Sequence, residues 1–222
     1  MFGRPEFTVG FSMRRAITLL CLLVASAAAQ AQPVAALSRF FDGVQRFEAR
    51  FTQVQTDERG LKIAESSGQM ALQRPGKFRW QVQQGAAQLI VTDGTTLWLY
   101  DEDLQQVTLR SADEALQGSP AALLSQRTAL AEAFTVTDEG AEGGAQKLLL
   151  KPKSTESDFQ DLRLWLKDDI PQRMLFRDTL GGATDIRFSS AKTNTPLDSS
   201  LFRFTPPQGV EVIDSRTSAE SR

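Results

Sequence analysis

A mainly β fold with helices, built on a large antiparallel sheet, is the class that this sequence predicts. Three observations indicate it: apolar and polar residues alternate with a period of two through most of the chain, turn residues recur at short intervals, and helical spacing is confined to two segments. Connections this short join antiparallel neighbours, whereas parallel strands need long crossovers. A sheet of so many strands must curl or be covered, so we expect helices against one face.

The first predicted element is an amphipathic helix over residues 34–47. Its apolar residues recur at the three- and four-residue spacing that places side chains on one helical face. They are Leu37, Phe40, Phe41, Val44 and Phe47.

Strands follow, because from Phe47 onward the period changes to two. The clearest half-buried strand covers residues 77–82, where three apolar residues alternate with three polar ones. Turn residues such as Pro75-Gly76 and Asp93-Gly94 separate the runs. The pattern predicts strands at residues 47–52, 69–73, 77–82, 88–92, 96–100, 105–110, 135–138, 147–151, 159–167, 172–178, 184–192 and 201–204.

One insert interrupts the strands at residues 113–134, where alternation is lost and Ala, Leu, Glu and Gln predominate. Ser119 followed by Pro120 is typical of a helix start, since serine caps the free backbone N–H groups and proline tolerates the first helical position. A second short helix is predicted at residues 128–133. Helices over a concave sheet can enclose a cavity, but an apolar strand face by itself indicates only a core.

The N-terminus has the pattern of a secretory signal peptide. A basic start at Met13-Arg14-Arg15 precedes an apolar run from Ala16 to Ala29, which at about 14 residues is shorter than the roughly 20 that span a bilayer. Ala29-Gln30-Ala31 is typical of a signal peptidase site, so we expect a mature protein that begins at Gln32. Residues 1–31 are therefore excluded from the fold, and residues 32–222 are predicted to form one domain. The alternative is a retained N-terminal anchor helix.

The single cysteine, Cys21, lies inside this signal. Leu20 precedes it and few apolar residues come earlier, so Cys21 does not fit a lipid-attachment site and the mature chain is expected to lack thiols. Removal of residues 1–31 changes the formal net charge from −2 to −4. A mildly acidic chain without a clustered basic face argues against nucleic acid as a partner.

Enzyme chemistry finds little support in the residue types. The chain has no histidine, which removes the usual general base and most transition-metal sites, and we expect no cofactor and no metal. Ser189 to Lys192 match the S-x-x-K pattern but lie in a predicted strand. Two acidic clusters, at residues 101–103 and 168–169, could act as paired carboxylates, although such clusters more often mark exposed turns. We therefore predict a binding protein rather than an enzyme.

Several local motifs appear in a fixed order. They are Phe51-Thr52-Gln53, Arg74-Pro75-Gly76-Lys77-Phe78-Arg79-Trp80, the run from Gln88 to Asp101, Leu149 with Pro152-Lys153, Pro196-Leu197-Asp198, and the run from Phe202 to Val210. This series resembles the periplasmic outer-membrane lipoprotein carrier family (LolA-type) over residues 40–215.

The resemblance implies a half-open antiparallel β-barrel of about eleven strands, closed by a lid of three short α-helices around an apolar cavity. It also implies a periplasmic chaperone, acting as a monomer. Such a carrier takes acylated lipoproteins from an inner-membrane ABC releasing complex and delivers them to an outer-membrane lipoprotein receptor. The alternatives are a related half-barrel receptor or lipoprotein sensor of the cell envelope, and a hydrolase that uses the acidic clusters.

The resemblance also implies roles for particular residues. Arg74 matches the arginine that holds the lid closed by binding lid backbone, a task suited to a guanidinium with five donors. Phe78 matches a position concerned with acyl chains. Strand alternation adds further acyl-binding candidates, although the inner face is ambiguous where both faces are apolar, as in residues 97–100. These candidates are Trp80, Leu89, Val91, Leu97, Leu99, Leu123, Leu124, Leu149, Leu164 and Phe188.

The chain departs from the family after Trp80, where an aromatic residue and a proline are usual and this chain has Gln81 to Ala87. Details of that hairpin are therefore left open by the resemblance. The insert keeps Gly118-Ser119-Pro120-Ala121, which fits the lid region.

Overall fold

The computed structural model describes residues 32–112, 124–125, 134–155, 157 and 159–216, without the side chains of residues 32–34. The predicted signal peptide at residues 1–31 and most of the predicted helical insert at residues 113–134 lie outside these residues.

The N-terminal helix α1 covers Gln32–Gly43 and is shorter than the predicted helix. Asn194 explains where it ends. The Asn194 side-chain amide donates to the Gly43 carbonyl at 2.8 Å, and its carbonyl oxygen accepts from the Gln45 backbone N–H at 2.8 Å. These bonds satisfy the backbone groups freed at the helix end, so the chain turns and enters the first strand at Arg46.

Strands account for most of the described residues, and all of them belong to one twelve-stranded sheet. Their bounds are β1 Arg46–Thr56, β2 Lys62–Gln73, β3 Lys77–Gln84, β4 Gln88–Asp93, β5 Thr96–Asp101, β6 Gln106–Ser111, β7 Phe134–Glu142, β8 Ala145–Pro152, β9 Phe159–Lys167, β10 Ile170–Asp178, β11 Ala183–Thr193 and β12 Glu211–Asp214.

Two antiparallel meanders make up the sheet, as the short connections predict. The strand order is β12-β6-β5-β4-β3-β2-β1-β11-β10-β9-β8-β7, so β1–β6 and β7–β11 meet where β1 pairs with β11. The C-terminal strand β12 adds to β6 in parallel. Within the described residues the two ends of this order do not pair, so the sheet is open rather than a closed barrel.

A continuous buried cluster shows that the sheet curves. It takes side chains from α1, from β1–β3 and from β7–β11, strands that lie far apart in the sheet order. We call this the inner cluster, and the face that contributes to it the inner face. Its buried members are Ala36, Leu37, Phe40, Phe41, Val44, Phe47, Ala49, Phe51, Met70, Leu72, Phe78, Trp80, Leu124, Phe134, Leu148, Leu150, Leu162, Leu164, Leu166, Met174, Phe176, Ile186 and Phe188.

A second, smaller cluster lies on the opposite, outer face of β4–β6. Leu89, Val91, Tyr100 and Val107 form its buried part. Phe204 and Val210, from the segment before β12, pack against them, and the Tyr100 and Phe204 rings lie 5.6 Å apart.

Two differences from the predicted elements occur near the C-terminus. The strand predicted at residues 201–204 is wrong, because a 3₁₀ helix covers Ser199–Phe202. Asp198 caps it by accepting from the Ser200 backbone N–H at 2.9 Å, and Phe202 is buried. Strand β12 escaped prediction since all four of its residues are exposed and carry no alternation.

The described residues contain one α-helix, α1, so the three-helix lid implied by the family resemblance is not confirmed. None of the helices in the described part of the chain has the length and apolar character that a membrane span requires.

Candidate functional site

The inner face is an apolar surface that runs across both meanders. Register places Phe51 of β1 opposite Phe188 of β11, and Met70 of β2 opposite Trp80 of β3. In β8–β10 the aligned residues Leu148, Leu164 and Met174 are fully buried, so this wall is continuous from strand to strand.

Helix α1 covers part of this surface. Phe40 packs edge-on against Phe47 of β1, with ring centroids 6.4 Å apart, and Leu37 and Phe41 are also buried. Arg39 ties the exposed side of the helix to the β9–β10 turn through two hydrogen bonds to Asp169, at 2.8 and 2.9 Å.

Arg74 connects α1 to the segment at residues 124–125. Its Nε donates to the Val44 carbonyl at 2.8 Å, just after α1. Its Nη1 donates to the carbonyl oxygens of Leu124 and Ser125, at 2.8 and 2.9 Å. One guanidinium thus binds backbone just after α1 and at residues 124–125, as its several donors allow. The latch role of Arg74 stays a prediction.

The surroundings of this guanidinium are largely apolar. Its Cζ lies 4.9 Å from the Phe40 ring centroid and 4.5 Å from that of Phe41, within range of cation–π attraction. Burial lowers the pKa of the Arg74 guanidinium to about 10, so it stays protonated at neutral pH. Its Nη2 is buried without a hydrogen-bond partner among the described residues. Because this charge is largely shielded from water, its hydrogen bonds come from the three carbonyl contacts.

Five of the predicted acyl-binding residues come together in the inner cluster. They are Phe78, Trp80, Leu124, Leu164 and Phe188. Register places two more, Leu97 and Leu99 of β5, on the inner face beside Thr92 and Ile90 of β4.

The remaining predicted residues lie elsewhere. Leu89 and Val91 belong to the outer cluster. Leu149 is half-buried and points away from its inner-cluster neighbours Leu148 and Leu150, and Leu123 lies outside the described residues. Acyl-chain binding by any of these residues stays a prediction.

Sequence reasoning missed two groups of inner-face residues. Phe40 and Phe41 contact the Arg74 guanidinium, and their adjacent aromatic rings on the apolar side of a helix were the available signal. The other group alternates along β2 and β9–β11, strands in which only Leu164 and Phe188 were predicted to bind acyl chains. It consists of Met70, Leu72, Leu162, Leu166, Met174, Phe176 and Ile186.

The candidate catalytic residues have structural partners. Asp101 accepts from the Leu104 backbone N–H at 3.0 Å within the β5–β6 turn, and Asp169 binds Arg39 in the β9–β10 turn. Lys192 of the S-x-x-K pattern pairs with Glu48 at 2.7 Å. Over the described ranges, no three acidic, cysteine or histidine residues cluster closely enough to hold a metal ion.

This chain is similar to known proteins at the levels of family, sequence and structure. The family model for the outer membrane lipoprotein carrier protein LolA matches residues 42–205. The chain is 40% identical over 200 residues to the outer-membrane lipoprotein carrier protein of Methylococcus capsulatus, covering 90% of this chain and 96% of that one. It is 41% identical over 198 residues to the protein of the same name from Azotobacter vinelandii, covering 89% and 95%.

Among solved structures, the chain is similar to an uncharacterized conserved protein from Thermus thermophilus. The TM-score is 0.54 at 17% sequence identity, and the superposition covers 81% of this chain and 97% of that one. At that identity the likeness concerns the fold alone.

Proposed function

This chain belongs to the outer membrane lipoprotein carrier protein LolA family, and from that premise we propose that it is a periplasmic chaperone for lipoproteins. It takes acylated lipoproteins from an inner-membrane ABC releasing complex, holds their acyl chains against the inner face, and delivers them to an outer-membrane receptor. The observation that carries this proposal is the buried apolar inner face beneath elements that Arg74 holds.

The need for such a carrier follows from the cost of exposing acyl chains to water. Each buried CH₂ group contributes about 0.8 kcal/mol, so one chain of roughly fifteen such groups prefers an apolar site by on the order of 12 kcal/mol. Two or three chains together do not cross water unaided at a useful rate. A carrier must therefore offer a large apolar surface and still release its cargo to the next partner.

The inner face suits this task because it is apolar and its cover is separate from its wall. Every strand is held by backbone ladders, whereas the contacts described between the sheet and α1 or residues 124–125 are made by side chains such as Arg39 and Arg74. Displacing the cover exposes Phe, Leu and Met side chains without breaking a strand pair. Acyl chains then replace the apolar contacts that the cover made.

Arg74 sets the balance between the covered and uncovered states. The three carbonyl contacts favour the covered state, while the burial that lowers the Arg74 pKa opposes it. These opposing effects keep the cover closed without cargo and still allow it to open. This is the latch role that the family resemblance implies.

A release assay tests the proposal. Membrane vesicles that contain the releasing complex and a radiolabelled lipoprotein are incubated with the mature protein and ATP. We expect soluble lipoprotein in a one-to-one complex with this protein. The proposal is contradicted if the lipoprotein stays in the membrane while the same vesicles release it to an established carrier protein.

The latch is tested by Arg74→Leu, with Arg79→Leu as the matched control. Arg79 lies five residues away on the outer side of β3, where it donates to the Leu201 carbonyl at 3.2 Å. We expect Arg74→Leu to fold and to accept cargo but to deliver it to the receptor at least about tenfold more slowly, a change of ~1.4 kcal/mol in the balance of states. Unchanged delivery by Arg74→Leu, or equal loss in Arg79→Leu, would remove the latch role.

A further inference from the structure

The inner face changes from apolar to polar along β1 and β2. Phe51 faces inward, and alternation therefore brings Gln53 and Gln55 to the same face. Gln53 lies between Ser66 of β2 and the buried Ile186 of β11, and Gln55 lies between Ala64 of β2 and Thr184 of β11. We call Gln53, Gln55, Ser66 and Thr184 the polar shelf.

An aromatic pair marks the boundary between the two regions. The Phe51 and Trp80 rings stack with centroids 3.6 Å apart and planes 18° from parallel, although β2 lies between their strands. Gly68 of β2 makes this contact possible. A β-carbon at Gly68 would overlap the Gln81 carbonyl oxygen and lie 2.8 Å from Phe51 Cζ, so a larger residue would force the rings apart. The shelf begins at Gln53, about 7 Å farther along β1.

The shelf side chains have free hydrogen-bonding capacity. All four are half-buried, and none makes a side-chain hydrogen bond to another described residue. Two glutamine amides, one serine and one threonine offer both donors and acceptors. Beyond them β2 is exposed at Lys62 and Ala64, so the shelf leads from the apolar wall to water.

We infer that the polar shelf binds the ester and amide linkages that join a lipoprotein's acyl chains to its polypeptide, while the Phe51–Trp80 pair contacts the chain segments next to those linkages. The inference rests on the proposed carrier function. A linkage carbonyl buried against apolar side chains would lose its hydrogen bonds to water, and the shelf amides replace them. The polypeptide must stay in water, so the linkages need a place where the interior meets solvent.

Arg74 is another polar group beside the interior, and its position argues against that role. Its Nη1 and Nε are already bonded to carbonyl oxygens, and its Nη2 is buried among the covering elements. A linkage held there would have to displace the Val44, Leu124 and Ser125 carbonyl oxygens from these donors. The polar shelf and Arg74 lie at different positions along the strands. Fluorescence of Trp80 can therefore distinguish a linkage bound at the shelf from one bound at Arg74.

Trp80 fluorescence supplies the test. In a Trp98→Phe, Trp165→Phe background Trp80 is the sole tryptophan. The probes are two synthetic diacylglyceryl-cysteine peptides whose chains carry bromine, a fluorescence quencher, either near the ester or near the methyl end. Binding is measured separately by equilibrium dialysis of the radiolabelled peptides. A Trp80→Phe, Trp165→Phe protein, which keeps only Trp98 on the outer face beside the outer cluster, is the control.

We expect both peptides to bind and the ester-proximal bromine to quench Trp80 more strongly, with neither quenching Trp98. Stronger or equal quenching of Trp80 by the methyl-end bromine would overturn the shelf, although the carrier function would stand. Absence of peptide binding in dialysis would overturn both the shelf and the carrier proposal.

A pair of variants tests the shelf directly. Gln53→Leu with Gln55→Leu removes both amides and keeps similar volume, and Gln69→Leu makes the same change at an exposed position of β2. We expect the double variant to bind the peptides about tenfold more weakly and to lose the difference between the two bromine positions, whereas Gln69→Leu does neither. Unchanged affinity together with an unchanged quenching difference would overturn the assignment.

Discussion

Strands β8–β11 and strands β4–β6 belong to one sheet, yet they differ in which face is more completely buried. In β8–β11 the inner residues, such as Leu148 and Leu162, are fully buried, and the outer face carries charged side chains. In β4–β6 the outer residues Val91 and Val107 are fully buried. On the inner face Thr92 and Leu97 are buried, but Ile90 and Leu99 are only half-buried. The inner face is therefore fully packed in β8–β11 and partly accessible in β4–β6.

Different coverings produce this contrast. On β4–β6 the segment that carries Phe204 and Val210 packs over the outer face, so apolar residues there are buried by the protein's own chain. On β8–β11 the outer face is filled by ion pairs, among them Arg173 with Asp185 at 2.8 Å, and by Trp165, whose ring lies 4.5 Å from the Arg173 Cζ. The contrast teaches that alternation locates two faces but does not say which face is inner.

The largest expected effect uses two adjacent residues of β8. Leu148→Ala should lower the free energy of unfolding by about 3 kcal/mol, because it leaves a cavity in the inner cluster. Leu149→Ala, on the half-buried outer side, should cost less than about 1 kcal/mol. Urea denaturation of both variants measures the difference. Equal losses would mean that β8 does not bury one face preferentially.

The same comparison in β4 should give the reverse assignment of faces. Val91→Ala, in the outer cluster, should lower the free energy of unfolding by about 2 kcal/mol. Ile90→Ala removes more atoms, but from a half-buried position on the inner face, so it should cost about as much as Val91→Ala rather than more. Lipoprotein release should nevertheless differ between the two variants, with Ile90→Ala the more impaired. If the inner face does not bind lipoprotein, Ile90→Ala should release lipoprotein from membranes as well as the wild type does.

Much of the fold follows from the sequence by local rules. The periods of two and the turn residues predict the meanders, and the three- and four-residue spacing of the apolar residues from Leu37 to Val44 predicts α1. Arg74 was identified through the family motif around it. Its contacts with Val44 and Leu124 join residues 30 and 50 positions away, which no local pattern reveals.

The inner or outer assignment of β4 could not be predicted, for a physical reason. Leu89 and Val91 are as apolar as Ile90 and Leu99, since each face of this half contacts apolar partners. What decides the face is packing by Phe204 and Val210, more than 100 residues later in the chain. The 3₁₀ helix at Ser199–Phe202 escaped for a similar reason, because Phe202 is apolar in any conformation and only the Asp198 cap indicates a helical turn.

A smaller effect should separate buried from exposed charge on the outer face of β8–β11. Asp161 is buried and binds both Arg163, at 2.7 Å, and Arg177. Asp161→Asn should lower the free energy of unfolding by about 1.5 kcal/mol, since it leaves two arginines with a weaker partner. Glu139→Gln, which also faces Arg163 but is partly exposed, should cost less than about 1 kcal/mol. Equal costs would show that burial of Asp161 does not strengthen its ion pairs.

The smallest expected effect concerns pH and the proposed latch role of Arg74. Burial lowers the pKa of Arg74 to about 10, so the closed state binds this proton more weakly than the open state does. Loss of the Arg74 proton therefore favours the closed state only as pH rises above about 10. Below that value Arg74 keeps its proton in both states. Because the chain also lacks histidine, cargo affinity should change less than about twofold between about pH 6 and about pH 9.

Equilibrium dialysis of a lipopeptide across that pH range measures this affinity. A steep dependence in the wild type that persists in Arg74→Leu would place the titrating group outside the latch, whereas one that disappears would show that Arg74 itself loses its proton near neutral pH.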